Sequence, residues 1–284
     1  MKKTFAPTAK TFAALYDLAQ VIQTGSIDTI KNAVVSIKAN PVFAGKTKWQ
    51  NRFDKFLNMI DTGIPAWTII KANGNSKLPF YAFSVLPGVT CPGAGDCLEY
   101  CYSFKAWRFP DAFFRQAQNT LLMRFDLNSI KTAFNNMPVG VDFRLYVDGD
   151  FSNQSDITFW FTQLNTRADI KAYGYSKSFD IILAYKGEYP SNYKLNISSG
   201  HNSDADTIAK VKQLGITRGE FITVSIGRKV KNSEFGTKSV NDAIRFNSNS
   251  KVFPCPGKCG SCTGKGHACG MDKLTGVTIA IAIH

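Results

Sequence analysis

Histidine is scarce in this chain of 284 residues, with three copies at His201, His267 and His284. That gives little support to metal chemistry built on several imidazole ligands. Long hydrophobic runs are missing as well. None approaches the roughly 20 residues that a membrane-spanning helix needs, so no membrane association is expected. The opening Met1-Lys2-Lys3-Thr4-Phe5-Ala6-Pro7 has two lysines but no apolar stretch behind them, which does not make a secretory leader. A cytoplasmic protein is the expectation. No phosphate-binding glycine loop, Gly-x-Ser-x-Gly elbow or His-Glu-x-x-His pair occurs, and no internal repeat or low-complexity tract stands out. Acidic residues are few, 21 against 34 basic ones, for a net charge of +13. Such an excess favours anionic partners, either nucleic acid or an anionic small substrate.

Seven cysteines are present, and their distribution is the most specific feature of the sequence. None falls between positions 102 and 254. Cys91, Cys97 and Cys101 form one group; Cys255, Cys259, Cys262 and Cys269 form the other. Thiols buried merely as small hydrophobes would scatter, and an odd number fits complete disulfide pairing badly. In a reducing compartment, grouped cysteines point to metal or redox chemistry. Three thiolates on a loop containing Gly93 and Gly95 leave one coordination position open, which suits an iron–sulfur cluster that binds a ligand at its unique iron; structural zinc, which would want a fourth protein ligand, and a non-metal role are the alternatives. Four thiolates make a closed set, which suits structural zinc or a second cluster. His267 lies inside that set, and with four thiols already present it reads as a solvated loop residue, with ligation in place of a cysteine as the alternative.

Residues 1–75 read as a helical region. Thr8–Ile22, Ser26–Ile37 and Trp49–Ile60 each carry an apolar stripe at helical spacing. Lys46, Lys48, Arg52 and Lys55 offer a basic face, an alternative to simple packing on the main domain. From residue 76 to 254 the pattern alternates. Strands are expected at Phe80–Leu86, Asp142–Asp148, Ile170–Ser176, Tyr193–Ser199, Phe221–Gly227 and Lys251–Phe253. Helices are expected at Asp111–Phe125, Gln154–Asn165, Ser178–Tyr185 and Asp204–Leu214, and more weakly at Asn241–Phe246. Strands alternating with helix-length connectors predict an α/β fold with parallel strands, a partial (β/α)6 barrel or an open sheet. Residues 255–284 form a cysteine-rich, metal-binding tail with a terminal strand. Polar residues and glycines gather just after the strands, where β/α folds place their sites. Asp148 and Asp150 there read either as site carboxylates or as caps of the following helix. Tyr175, Ser176, Ser198 and Ser199 read either as site residues or as turns. His201 reads as a loop residue, with an acid–base role as the alternative.

Three stretches together resemble a known family. They are Cys91-Pro-Gly-Ala followed by Cys97 and Cys101-Tyr102, Phe143-Arg144-Leu145-Tyr146-Val147-Asp148-Gly149-Asp150-Phe151-Ser152, and Ala172-Tyr173-Gly174-Tyr175-Ser176-Lys177-Ser178. They look like the phage Gene product 88 family, over roughly residues 78 to 270, with the N-terminal 75 residues outside the match. That family is in turn similar to radical S-adenosylmethionine enzymes, whose β/α barrels carry a three-cysteine loop after the first strand. The cysteine spacings depart from that pattern, being five and three residues here instead of three and two. Gly149-Asp150 stands where those enzymes carry a Gly-Gly-Glu-like element.

The resemblance implies a [4Fe-4S] cluster on Cys91, Cys97 and Cys101. It also implies an S-adenosylmethionine site drawing on Tyr102, Gly149, Asp150, Tyr175, Ser176, Ser198 and Ser199, and an external electron donor. Such an enzyme would work in the host cytoplasm if the chain is phage-encoded. The competing expectation is a non-catalytic protein, stabilised by zinc or an iron–sulfur cluster, that binds nucleic acid or a host protein.

Overall fold

The computed structural model describes residues 9–72, 79–248, 251–260, 262–263 and 266–283. Met1–Thr8 and His284, on which the sequence reading drew, lie outside them. The first region is helical as expected: α1 (Ala9–Thr24), α2 (Ile27–Lys38) and α3 (Thr47–Thr62). Ser26 starts α2 by accepting a hydrogen bond from the Thr29 N–H, which satisfies a donor the helix leaves free. Gly63, at φ 69°, stops α3. Two further helices follow the first cysteine loop: α4 (Pro110–Phe125) and α5 (Leu127–Asn135). The sequence pattern gave no sign of α5.

The apolar stripes of α1, α2 and α3 do not close on themselves. Leu15, Leu18, Ile22, Ile30, Val34, Phe53 and Phe56 share one core with Phe104, Trp107, Phe113 and Phe114. The N-terminal helices and the segment beyond Cys101 therefore bury each other. On α3, Lys48 and Arg52 are committed to Asp111, and Lys55 lies over the Trp67 ring, 4.7 Å from its centroid. That leaves less of the basic face for a partner.

The remainder builds a sheet. Its strands are β1 (Tyr81–Ala82), β2 (Asp142–Leu145), β3 (Lys171–Ser176), β4 (Tyr193–Ser198), β5 (Thr217–Val224), β6 (Val252–Pro254) and β7 (Thr278–Ala282). All seven pair in parallel, in the order β1-β2-β3-β4-β5-β7-β6. Helices α6 (Gln154–Thr166), α7 (Phe179–Ala184), α8 (Ala205–Lys212) and α9 (Lys238–Asn247) supply crossovers between successive strands. The expected alternation of strand and helix is thus present. Among the described residues β1 and β6 do not pair with each other, and the outer side of β1 carries an antiparallel bridge between Ala82 and Lys71, so the arrangement is a seven-stranded parallel sheet without a closed barrel. The terminal strand inserts between β5 and β6, which carries the cysteine tail back across the sheet.

Side chains alternate across each strand. Phe143 and Leu145 of β2, Ala172 of β3, and Leu195 and Ile197 of β4 enter the core beneath the helices with Trp160 and Phe161. Their sequence neighbours face the other way. There, Phe80, Tyr173 and Ile279 pack with Ala268 and Cys269 of the tail. One face of the sheet is therefore covered by helices, the other by the cysteine-rich segment.

Candidate functional site

Because every strand runs in the same direction, the segments after them meet at one edge. The first cysteine loop is tied there by its backbone. The Gly95 and Cys97 N–H groups both donate to the Gly200 carbonyl just beyond β4, at 2.9 and 3.3 Å, and the Asn202 N–H donates to the Gly93 carbonyl at 3.1 Å. A side chain at Gly93 would put its Cβ 1.8 Å from the Lys177 carbonyl oxygen. The loop therefore passes flush against the end of β3, and only glycine allows that approach. The second set hangs from β6, where the Cys255 N–H donates to the Ala280 carbonyl of β7 at 2.7 Å.

Between the two loops lies a cavity of about 430 Å³, and all seven cysteines line it. Both groups, far apart in sequence, face one space. None of the thiols forms a disulfide. Backbone N–H groups approach several sulfurs: Gly95 at Cys97, Ser103 and Phe104 at Cys101, Gly257 at Cys255, and Ala268 at Cys262, the last at 3.2 Å. Burial nevertheless pushes the thiols of Cys91, Cys97, Cys101 and Cys262 up from their ordinary value. It pushes Cys255 up to about 12 and Cys269 up to about 11. As thiolates these groups need compensating positive charge, which a bound metal supplies.

The donor chemistry fits such a group. Thiolates of this kind hold either a single zinc, with Zn–S bonds of about 2.3 Å, or an iron–sulfur cluster. Among the described residues, no three or more His, Cys, Asp or Glu side chains are gathered tightly enough to hold one ion.

The rest of the lining follows from strand alternation. Arg144, Tyr146, Asp148 and Asp150 come from β2 and beyond, Tyr173, Tyr175 and Lys177 from β3, and Ser198 and Ser199 from β4. Phe221 and Thr223 of β5 complete the wall, with Ile281 of β7. Of the residues expected to bind a cofactor, Tyr102, Gly149, Asp150, Tyr175, Ser198 and Ser199 line the cavity, and Ser176 does not. Ser176 instead donates to Asp150 Oδ1 at 2.7 Å. Asp150 is held by three protein donors, since Oδ1 also accepts from the Phe151 N–H at 2.8 Å and Oδ2 from the Lys177 N–H at 2.7 Å. It is 4% exposed, and burial raises its pKa despite those bonds. Asp148 accepts from Gln116 Nε2 at 2.9 Å. Neither caps the next helix. Asn153 does so, accepting from the Asp156 N–H at 3.0 Å.

One histidine expectation changes. His267, read as a solvated loop residue, is 8% exposed and lines the cavity, with its ring 4.5 Å from Tyr173 and 4.6 Å from Phe80. His201 is outside the lining and packs edge-on against Phe179. The structure also contributes residues that sequence reasoning passed over. Lys177 reaches Ser198 Oγ at 2.7 Å. Arg144 places its guanidinium 4.7 Å from the Tyr175 ring centroid. Beneath the second cysteine set, Arg218, fully buried, donates from Nε to Asn196 Oδ1 at 2.5 Å, and Asn196 Nδ2 donates to the Cys269 carbonyl at 3.0 Å.

Comparison with protein families agrees with this distribution. The model of the family described as Gene product 88 matches residues 48–271, well over half of the chain. The chain belongs to the Gene product 88 family. The match begins inside α3, so it reaches some thirty residues further toward the N-terminus than the motifs alone indicate, and it ends just past Cys269. All seven cysteines fall within it. No curated protein and no solved structure matches the chain.

Proposed function

We propose that this member of the Gene product 88 family is an iron–sulfur enzyme of the radical S-adenosylmethionine type. Cys91, Cys97 and Cys101 hold a [4Fe-4S] cluster, and the C-terminal cysteines hold a second cluster or zinc. The observation that carries this reading is the shared cavity. A cofactor bound there would lie against three thiols that leave a ligand position open, with four more thiols lining the same space. A site built only for stability has no need to open onto a pocket of this size, which falls within the range of small-molecule sites.

The chemistry a cluster supplies there is one-electron reduction, which for S-adenosylmethionine breaks a carbon–sulfur bond to give methionine and a carbon-centred radical. The protein's own residues bind, orient and shield. Tyr102 and Tyr175 present aromatic surface to the cavity, and Ser198 and Ser199 present hydroxyls. Asp150 fixes the turn after β3 through Ser176 and Lys177, so that Lys177 and the Gly93 loop keep their places. With three protein donors already on its carboxylate, Asp150 acts on a ligand chiefly through charge and through this turn.

The test is anaerobic reconstitution. Broad visible absorption, with iron and sulfide near four per site occupied, is expected, together with a change in the electron paramagnetic resonance of the reduced protein on adding S-adenosylmethionine. Cys97→Ala should abolish that change, whereas Cys262→Ala should mainly lower stability, because a closed site contributes folding free energy. Zinc in both sites, with no iron taken up, would sink the proposal. An iron-loaded protein indifferent to S-adenosylmethionine would be an electron-transfer or structural protein instead.

A further inference from the structure

Arg144 is the group in the cavity that the metal reading leaves without a task. Strand alternation turns it away from the helix-covered core, between Tyr102 of the first cysteine loop and the wall formed by Tyr173 and Tyr175. Its Nη2 donates to the Tyr102 hydroxyl at a long 3.4 Å, and its plane lies over Tyr175. Its Nε is enclosed and has no hydrogen-bond partner. A guanidinium taken out of water without a carboxylate is costly unless something supplies the missing acceptor. Asp148 feels its charge, but that carboxylate is engaged by Gln116, Ser103 and Ser84. Lys177 and Lys258 also line the cavity, against the carboxylates of Asp148 and Asp150, which leaves a formal excess of one positive charge while the thiols are neutral.

We propose that Arg144 is the anion-recognition residue of this cavity, receiving the carboxylate or phosphate of a small molecule on the part of its guanidinium that faces the space. The planar fork suits such oxyanions and the stacked tyrosine holds it in place. Lys177 and Lys258 add attraction without direction. A substrate bound in this way lies between the two cysteine sets, against whatever they hold. The inference stands on the cavity and its unmatched cation, and does not need a metal to be present.

The experiment titrates full-length protein with inorganic pyrophosphate and with succinate at low salt, by isothermal titration calorimetry, before and after anaerobic iron loading. At least one probe should bind in both states, and the preferred one tells phosphate from carboxylate recognition. Arg144→Met should weaken that binding by roughly 10- to 100-fold, the loss expected for a charge-assisted hydrogen bond. Arg144→Lys should fall between. On the unaltered protein, the preferred probe should shield Arg144 from phenylglyoxal, as read by peptide mass spectrometry, and this arm decides the matter if the variants fail to fold. Absence of binding by both probes, affinity unchanged in Arg144→Met, or modification of Arg144 untouched by the probe would overturn the proposal and leave Arg144 to balance thiolate charge. Iron content is measured separately, so failure of the cluster reading would not be mistaken for failure of this one.

Discussion

Gly149 sits at φ +84°, and a Cβ there would lie 2.2 Å from Val85 Cγ2 and 2.7 Å from Thr90 Oγ1. Thr90 directly precedes Cys91, so the turn after β2 and the start of the cysteine loop are fitted to each other. Three residues earlier, Tyr146 is also left-handed, at φ 53°, and its buried hydroxyl accepts from Trp160 Nε1 at 3.1 Å. Gly149→Ala combines a strained backbone with a clash against two short, buried side chains. It should cost about 2–4 kcal/mol in urea unfolding and speed the reaction of Cys91 with thiol reagents. Asn196 shows a different dependence. Asn196→Leu keeps the volume but strands Arg218 Nε and the Cys269 carbonyl, and should cost about 2–4 kcal/mol, with Cys269 becoming more reactive than Cys97 by peptide mapping. The cysteines were legible in the sequence because their clustering carries information on its own. Arg144, Asn196 and Arg218 were not, because a polar residue inside a short strand acquires meaning only once the strand's two faces are assigned.

The elements themselves were mostly legible. The stripes of α1, α2, α3, α4 and α6 repeat every three to four residues, and caps such as Ser26 and Asn153 mark their starts. The fit was poorer where tertiary context decides. The first strand was expected over Phe80–Leu86, yet regular pairing covers Tyr81 and Ala82 only; Phe83 and Val85 still bond to Arg144, Val147 and Asp148, but left-handed Tyr146 breaks the ladder there. β5 starts at Thr217, earlier than the apolar run, because buried Arg218 is accepted there by the carbonyls of Leu274, Val277 and Glu220. At the opposite edge of the sheet, Arg167 donates to Asp169 through Nε and Nη2, both at 2.8 Å, and to the carbonyls of Asn135, Met137 and Pro138. It thereby clamps the connections entering β2 and β3. The Arg167 guanidinium holds Asp169 down at about 2, below the value of about 3.9 expected in the unfolded chain. A carboxylate depressed in this way contributes stability that is present above about pH 4 and is lost as pH falls toward 2. The stability difference between the protein and Asp169→Asn should shrink across that window. A difference that stays constant from pH 6 to pH 2 would remove the clamp from the account.

For the whole molecule, the question is what supports the edge where the cysteines meet. The family match starts at residue 48, which leaves α1 and α2 outside it. Physically they are not outside. Phe12 of α1 stacks on Trp107 with centroids 5.6 Å apart and meets Phe104 edge-on at 5.0 Å. Phe104 and Trp107 follow Cys101 by a few residues, in the 3-10 turn Tyr102–Arg108 that closes the first cysteine loop. Trp107 is fully buried and gives its Nε1 hydrogen to Gln116 Oε1 at 2.8 Å; the same Gln116 holds Asp148 at the cavity wall. A continuous packed path thus runs from α1 to the site. Removing residues 1–46 would expose Phe53, Phe104, Trp107 and Phe114 together. Each fully buried side chain of this size is worth about 1.5–3 kcal/mol, so the combined loss is comparable with the roughly 5–15 kcal/mol that keeps a domain folded. The shortened chain should therefore unfold at a much lower urea concentration. At concentrations where it remains folded, hydrogen exchange should show residues 91–108 losing protection before residues 252–282. If the shortened chain unfolds at the original midpoint with residues 91–108 still protected, the loop must be held by the sheet alone, through Gly200 and Lys177, and the N-terminal helices serve some other purpose.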